Sequence, residues 1–176
     1  GIKLHTLFDI KTSIPSFIHI TTARVHDVNI MDLIPYEKGS FYVADKAYTD
    51  FNRLHRIHAN ESFFVIRAKE NLQFHRMYSR AVDKTKGVIH DQVGRLLGPK
   101  SRTEYPEKLR RIKYYDAEHD LDLVFLTNNM DLKATEIAFL YKKRWEVELF
   151  FKWMKQHLKI KSFWGVTLNA VKIQMY

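Results

Sequence analysis

The segment EIAFLYKKRWEVELFFKWMKQHLKIK, residues 136–161, constrains the fold more than any other part of the chain. Its apolar residues recur at the three- and four-residue spacing of a helix that packs one face against a core; they are Leu140, Val147, Phe151, Met154 and Leu158. Because an α-helix turns about 100° per residue, a second set of side chains lies within an arc of about 60° beside that apolar stripe. This polar stripe comprises Tyr141, Arg144, Glu148 and Lys155. The sequence therefore predicts a long amphipathic helix with reactive groups at the border of its buried face.

Upstream of this helix, the sequence predicts strands and a helix in close order. Two β-rich runs near the start, IKLHTLFDI and IPSFIHITTA, are separated by KTS and predict an antiparallel hairpin. The runs FYVAD and SFFVIRAKEN predict buried strands, and the residues between them predict a helix capped by Thr49 or Asp50. Strand, helix and strand in this order predict a βαβ unit with a right-handed crossover.

Residues 76–127 have a different pattern from the segments on either side. Three β segments are separated there by glycine, proline and charged residues; they are GVIHDQVGRLL, KLRRIKYYDA and LDLVFLTNN. We interpret this part as a β-rich insertion between the core strands and the long helix. With 176 residues, of which 45% are hydrophobic, one α/β domain is the expectation.

The chain is strongly basic, with 29 Lys and Arg against 20 Asp and Glu and a formal net charge of +9. The excess lies mainly in residues 67–115 and 141–161. A solvated basic face is one interpretation of such segments, and a surface for a polyanion is the other. The sequence contains no cysteine and no apolar run long enough to cross a bilayer, so we expect a cytoplasmic protein that does not bind membranes.

Two carboxylates have positions that suit catalysis, and each also has a structural explanation. Asp45 is the last residue of a predicted apolar strand. Ligand-binding crevices in α/β sheets lie at the carboxyl ends of strands, so this position suits catalysis. An aspartate after a strand can also merely form a turn or cap a helix. Glu148 lies on the polar stripe, although it can simply pair with Arg144 or Lys152 at a spacing of four residues. Neither residue is decisive alone.

Taken together, these residues resemble a known family. Tyr141, Arg144, Glu148 and Lys155 match the signature Tyr-x2-Arg-x3-Glu-x6-Lys of DDE transposases of the insertion-sequence-four group at all four positions. FYVADKAY resembles the family segment around its second catalytic aspartate, which corresponds to Asp45. LTNN before the helix and LKIKSFWGVTLNAVKIQ after it are also similar to the family, so the resemblance spans nearly the whole chain.

The resemblance implies an RNase H-like fold, in which a mixed sheet is flanked by helices and a β-rich insertion precedes the glutamate-bearing helix. It also implies that Asp45 and Glu148 are catalytic and bind divalent cations, normally Mg²⁺ with Mn²⁺ as a substitute. Hard cations prefer carboxylate oxygens, and a pair of them stabilises both the entering and the leaving oxygen of a phosphodiester. The implied reaction is cleavage and strand transfer at the ends of an insertion sequence.

The implied partners are the terminal inverted repeats of the transposon and its target DNA, bound by a dimer near the bacterial nucleoid. Arg144 and Lys155 suit phosphates beside the scissile bond, and the hydroxyl of Tyr141 can donate to a phosphate oxygen. Arg67 and Lys69 follow a predicted strand toward the same edge as Asp45, so we include them as candidates for contacting the DNA backbone.

The first aspartate of the family triad belongs on a strand that we expect to precede Gly1. We therefore expect the chain to be a fragment that is inactive by itself, with Asp9 as a rival for the first aspartate. Two alternatives to a transposase stay open: a related RNase H-like nuclease, which need not have the polar stripe, and a non-catalytic DNA-binding fragment.

Histidine and tryptophan residues suggest two further roles, and we expect neither. His55 and His58 lie three residues apart without a matching set of acids or cysteines, which favours surface histidines over metal ligands. Trp145, Trp153 and Trp164 are capable of stacking on bases, but packing is the expected role of those that flank the apolar stripe.

Overall fold

A computed structural model describes residues 2–9, 11–12 and 14–157. The chain divides into two compact units, which we name by their place in the sequence. The terminal unit comprises residues 1–34 and 143–176, and the central unit comprises residues 35–142. In the part of the chain that the structure describes, no helix is both long and apolar enough to span a membrane.

Strands predominate in the described chain, and α-helices separate groups of two or three strands before the long helix at its end. They are β1 (Ile2–Asp9), β2 (Ile14–Thr22), β3 (Phe41–Ala44), α1 (Phe51–Ala59), β4 (Phe63–Arg67), β5 (Phe74–Ser79), β6 (Val88–Leu96), α2 (Pro99–Glu104), β7 (Leu109–Asp116), β8 (Leu121–Thr127) and α3 (Ala134–His157). Short 3-10 helices occur at Asp27–Asp32, Lys46–Tyr48 and Lys84–Lys86.

The terminal unit begins with the predicted hairpin. β1 and β2 pair in antiparallel register from Ile2 opposite Thr22 to Asp9 opposite Ile14. His5 Nε2 and Thr21 Oγ1, both buried, lie 2.8 Å apart across the two strands. The hairpin prediction is confirmed.

The central unit is built on one mixed sheet of six strands, ordered β3-β4-β8-β7-β6-β5. β3 and β4 are parallel, as the predicted βαβ unit requires, and the other neighbours are antiparallel. The predicted segments between β4 and the long helix do form strands, and they continue the same sheet because β8 pairs directly with β4. The limits of the insertion stay a prediction.

Helices contact both faces of this sheet. On one face, the start of α3 packs against the sheet in a buried cluster of Val65, Val88, Ile112, Leu123, Phe125, Ile137, Ala138 and Tyr141. The alternate residues of β4 point the other way, toward α1, whose Leu54 and Ile57 are buried. Asp50 caps α1 by accepting a hydrogen bond from the backbone amide of Arg53 at 3.0 Å. The predicted class, a mixed α/β sheet flanked by helices as in RNase H-like folds, is confirmed.

The long helix begins at Ala134 and is described to His157, close to the predicted segment. Its buried positions differ from the predicted apolar stripe: Ile137, Ala138 and Tyr141 enter the core, while Leu140 is only half-buried. Val147 and Phe151 are also half-buried. The side chain of Met154, Leu158 and the following segment LKIKSFWGVTLNAVKIQ with Trp164 lie outside the described residues.

Candidate active site

Asp45 immediately follows β3, at the carboxyl end of a parallel pair of strands. Ala44 is paired with Ile66 in the neighbouring strand, so Asp45 and Arg67 follow paired residues at one edge of the sheet. Arg67 is half-buried and Lys69, two residues further, is exposed. The structure thus places Asp45 directly after an apolar strand, as predicted, and Arg67 at the corresponding end of the neighbouring strand.

The backbone around Asp45 turns at once into a short 3-10 helix. Its carbonyl oxygen accepts a hydrogen bond from the amide of Tyr48 at 3.0 Å. Within the described part of the chain, the half-buried carboxylate makes no capping hydrogen bond to this turn. Asp45 thus holds the N-cap position of the 3-10 helix, whereas Asp50 caps α1 through its side chain.

The four signature residues lie on α3, but their environments differ. Tyr141 is only 1% exposed, and its ring centroid lies 4.8 Å from that of Phe125. Arg144 Nη1 donates to Glu148 Oε1 at 2.9 Å, which is the four-residue helical ion pair that the sequence left as the structural alternative. The Glu148 side chain is 62% exposed. The side chain of Lys155 lies outside the described residues.

Asp45 and Glu148 belong to different compact units, Asp45 to the central unit and Glu148 to the terminal unit. Their predicted approach to one cation therefore stays a prediction.

A buried ion pair anchors the loop that leads into α3. Arg110, 1% exposed, donates from Nε and Nη2 to the two carboxylate oxygens of Asp91 at 2.8 and 2.6 Å. Its Nη1 donates to the carbonyl oxygen of Leu132 at 2.6 Å. Arg80, whose Nε lies 3.8 Å from Asp91, donates to the carbonyl oxygen of Met130 at 2.6 Å. The sequence did not predict this role, because charged residues in and beside β strands are usually solvated.

The LTNN segment completes this anchor. Asn128 accepts from the amide of Phe64 at 2.9 Å and donates to the carbonyl oxygen of Ser62 at 2.9 Å, so it joins the end of β8 to the start of β4. Asn129 Oδ1 accepts from the amides of Asp131 and Leu132 at 3.1 and 2.9 Å. These buried amides fix the position from which α3 starts.

One acidic group in the described chain has the geometry of a metal site. Asp116, Glu118 and His119 each place a ligand atom within 4.8 Å of the others. Lys142 Nζ, however, donates to Asp116 at 2.9 Å and to Glu118 at 2.8 Å. The lysine ammonium therefore supplies the positive charge that a cation would bring.

The pKa values of this group reflect the lysine. Burial acts to raise the pKa of the Asp116 carboxyl, but hydrogen bonds from Lys142 and His119 hold it below its ordinary value. The Lys142 hydrogen bond also lowers the pKa of Glu118, and both carboxylates raise the pKa of Lys142. The mutual stabilisation favours an internal ion pair as the role of these residues.

Asp9, the rival first aspartate, has a structural role at the end of β1. Its Oδ1 accepts hydrogen bonds from the backbone amides of Lys11 and Thr12 at 2.8 and 3.5 Å. These contacts, led by the Lys11 amide, lower the pKa of Asp9. Asp9 therefore acts as the acceptor that closes the hairpin turn.

The histidines and tryptophans have contacts of their own. His58 Nδ1 lies 2.7 Å from the hydroxyl of Tyr105, and the ring centroid of His55 lies 5.5 Å from that of Tyr105. This aromatic packing accounts for the pair without a metal. Trp145 is half-buried, in keeping with packing, whereas Trp153 is 53% exposed and stacks on His157, so the expectation of a packed side chain is wrong for Trp153.

Comparison with known proteins identifies the family. The family model described as Transposase DDE domain matches residues 1–176, the whole chain. The chain belongs to the DDE transposase family. This finding confirms the family-level resemblance stated from the sequence.

Curated relatives of this DDE domain are assigned by name as transposases. The y4zB protein of Sinorhizobium fredii strain NGR234 is 37% identical over 180 residues, which cover 100% of this chain and 50% of the relative. A protein assigned to insertion sequence element IS5377 of Geobacillus stearothermophilus is 30% identical over 177 residues, covering 100% of the chain and 46% of the relative. A protein assigned to element IS4SA of Synechocystis is 25% identical over 188 residues, covering 99% and 49%. The chain spans about half the length of these relatives.

Proposed function

We propose that this chain is catalytic-domain sequence of a DNA transposase that cleaves phosphodiesters at insertion-sequence ends and transfers the freed strands. The match of the DDE family model to the whole chain carries this proposal. The position of Asp45 directly after β3 supports it, because ligand-binding groups in α/β sheets lie at the carboxyl ends of strands. The names of the relatives, which refer to transposases and insertion sequences, agree with it.

In this proposal, Asp45 and Glu148 bind the divalent cations that the family implies, normally Mg²⁺ with Mn²⁺ as a substitute. The donors fit hard cations, since both are carboxylates; Asp45 is half-buried at a sheet edge and Glu148 is mostly exposed on α3. When bound, such ions supply Lewis acidity and an activated nucleophile. The carboxylates of this chain would hold and orient them, with Glu148 Oε1 also accepting a hydrogen bond from Arg144.

The basic residues near these acids contact the DNA backbone in this proposal. Arg144 has a fork of donors for phosphate oxygens, and Lys155 has a compact charge. The sequence also suggested the hydroxyl of Tyr141, but that side chain is only 1% exposed in the core, so we do not propose it as a DNA contact. Arg67, at the end of β4, and the exposed Lys69 supply positive charge at the Asp45 edge of the sheet. The proposed partners are transposon terminal inverted repeats and target DNA, bound by a dimer in the bacterial cytoplasm near the nucleoid.

Cleavage of an end-bearing duplex tests the function. The assay compares, in Mg²⁺ and in Mn²⁺, the chain alone with and without Asp9→Asn and a version extended upstream of Gly1 from its gene. The extended version is also tested with Asp45→Asn, Glu148→Gln or Asp9→Asn. We expect cleavage by the extended version only, abolished by Asp45→Asn and Glu148→Gln and retained in Asp9→Asn. Cleavage by the chain alone that is lost in Asp9→Asn would make Asp9 the first aspartate. Metal-dependent cleavage that survives both Asp45→Asn and Glu148→Gln would reject the site.

Paramagnetic relaxation tests whether one ion approaches both acids. Mn²⁺ added to the labelled chain should broaden the amide signals around Asp45 and those around Glu148 at the same low concentration. Asp45→Asn should reduce the broadening at both places. Broadening at only one of the two positions would show that the two carboxylates do not share a cation.

A further inference from the structure

The sheet of the central unit has a polar face on β5, β6 and β7 that the proposed function has not used. Successive side chains of a strand point to opposite faces, so residues that alternate with Ile112, a core residue beneath α3, point away from that core. The register places Gln92 opposite Arg111, and Arg76 opposite Gly94. We call this surface the outer face; its side chains include Phe74, Arg76, Gln92, Arg111 and Lys113.

Arg111 is held in place on the outer face by neutral groups. Its guanidinium carbon lies 4.6 Å from the centroid of the Phe74 ring. Its Nε and Nη2 donate to the amide oxygen of Gln92 at 3.2 and 2.6 Å. These contacts fix the orientation of the planar guanidinium and leave its charge uncompensated.

A second arginine adds like charge at the same place. Arg76 is exposed. Burial is the main cause that lowers the pKa of Arg111, and the positive charge of Arg76 is the second cause. Among the described residues, no carboxylate lies within ion-pairing distance of Arg76 or Arg111; Lys113 alone on this face is paired, to Asp122 at 2.7 Å. Three cations and one carboxylate leave a charge of +2 on the outer face.

Two neighbouring guanidinium groups without a counterion repel each other, and an anion that reaches both removes the repulsion. The Nη1 group of Arg111 is not used by Gln92, and the exposed Arg76 has its whole fork available to such an anion. Arginine binds phosphate oxygens in bidentate geometry, and repeated phosphates along a duplex suit an extended basic sheet face.

We propose that the outer face binds the phosphate backbone of duplex DNA, with Arg76 and Arg111 contacting phosphates and Phe74 and Gln92 positioning Arg111. This inference rests on the proposed function for its choice of DNA, and extends the contact surface beyond α3 and the Asp45 edge. The contacts are with phosphates, so this surface adds affinity without reading base sequence.

Binding of a 30-base-pair duplex of arbitrary sequence, measured by fluorescence anisotropy over a series of NaCl concentrations, tests the outer face. The variants are Arg76→Gln, Arg111→Gln and their combination in the 176-residue chain. Each single variant should weaken binding and reduce the log–log salt slope by about 0.9, and the combination by about 1.8, because each lost phosphate contact retains its counterions. Arg102→Gln, at an exposed arginine of α2, is the matched control and should change neither quantity.

Gln92→Glu separates charge from packing. It keeps both arginines and the Phe74 contact but places a carboxylate beside Arg111, so it should lower the slope as Arg111→Gln does. Thermal unfolding of every variant checks the fold. Arg76→Gln changes an exposed residue, so this variant should have the same midpoint of thermal unfolding as the unmodified chain.

The outcomes separate this inference from the proposed function. Salt-dependent duplex binding that is unchanged in the combined variant and in Gln92→Glu overturns the outer face while leaving the transposase proposal intact. Absence of duplex binding by the unmodified chain at low salt contradicts the choice of DNA itself. If the combined variant keeps its binding to duplex DNA but loses binding to a single-stranded RNA or to an acidic protein, the proposed partner class is wrong.

Discussion

Asp91 is the residue whose charge holds the approach to α3 together. It accepts two hydrogen bonds from Arg110 and lies near Arg80, and both arginines donate to carbonyl oxygens of residues 130–132. A buried ion pair offers little net stability over an apolar pair, but removal of one partner leaves the other charge buried and unpaired. Replacing Asp91 by a neutral residue should therefore lower the free energy of unfolding by much more than the net contribution of the pair.

Asp91→Asn should destabilise the chain by about 3–5 kcal/mol, because Arg110 keeps its charge at a site that is 1% exposed. Urea unfolding monitored by far-ultraviolet circular dichroism, which reports on the sheet of the central unit, measures the loss. Lys38→Gln, which breaks the exposed pair with Glu61 at 2.7 Å, is the control and should cost at most about 1 kcal/mol. Equal effects of the two substitutions would show that the Asp91 pair is no anchor.

Another single residue, His58, makes the free energy of unfolding depend on pH. Burial lowers its pKa, against the raising effect of Glu107. A histidine whose folded pKa lies below its unfolded value of about 6.5 stabilises the fold fully above that value, and this stability is lost as the pH falls through the folded pKa. Burial also lowers the pKa of His5 and His90, so all three act in the same direction.

The free energy of unfolding should therefore fall between pH 7 and pH 5, and His58→Gln should make that fall shallower. Chemical unfolding at a series of pH values measures both slopes. Ser79→Ala, at an exposed residue of β5 that does not titrate in this range, should leave the slope unchanged. A His58→Gln chain with the full original pH dependence would contradict the assignment.

At the scale of elements, a single lysine links α3 to the end of β7 and the turn after it. Lys142 donates to Asp116 and Glu118, and the hydrogen bonds lower the pKa of both carboxyls. A depressed carboxyl pKa adds stability above its ordinary value of about 4, and that stability is lost as the pH falls through the depressed pKa.

Lys142→Met should therefore move the midpoint of acid unfolding to higher pH, because the carboxyls then protonate at their ordinary values or above them. Circular dichroism during an acid titration gives the midpoint. Lys152→Met, at an exposed lysine of the same helix, should not move it. The same Lys142 variant should gain weak Mn²⁺ binding at Asp116, Glu118 and His119, and absence of that gain would show that lysine is not what keeps a cation out.

Elements with a strong local pattern were predictable from sequence, and long-range pairings were not. The alternation in β1 and β2, the apolar run before Asp45 and the cap at Asp50 are local signals, and each element formed where it was predicted. The strand order β3-β4-β8-β7-β6-β5 depends on pairings between distant residues, which hydrophobic periodicity does not encode.

The candidate site shows the same division. Sequence spacing placed Tyr141, Arg144 and Glu148 on one helix, but it did not reveal that Tyr141 packs in the core against Phe125. It also did not reveal Arg110, because an arginine in a β segment is usually solvated and only its pairing with Asp91 makes burial tolerable. Partner identity across the sheet is the information that a single sequence lacks.

At the scale of the whole molecule, the central unit is continuous in sequence and holds its own hydrophobic core. All eight residues of the buried cluster lie between residues 35 and 142, and three of them come from the first turns of α3. The anchor of Asp91 and Arg110 and the tie of Lys142 also lie within that range. The unit therefore has the sheet, the covering helix start and the buried polar partners that an independent fold requires.

Residues 35–142 expressed alone should thus unfold cooperatively and keep the sheet, whereas residues 35–133 should not. The shorter chain loses Ile137, Ala138 and Tyr141, which are at most 1% exposed, so it uncovers Ile112, Leu123 and Phe125 beneath them. Exposing an apolar core of this kind costs on the order of 1.5–3 kcal/mol per large side chain, so the loss for several side chains approaches the total stability of a small domain.

Amide hydrogen exchange and a dye that binds exposed apolar surface distinguish the two chains. We expect slow exchange in β7 and β8 and no dye binding for residues 35–142. We expect rapid exchange and dye binding for residues 35–133. Rapid exchange throughout 35–142 would mean that the central unit depends on the rest of the chain to fold.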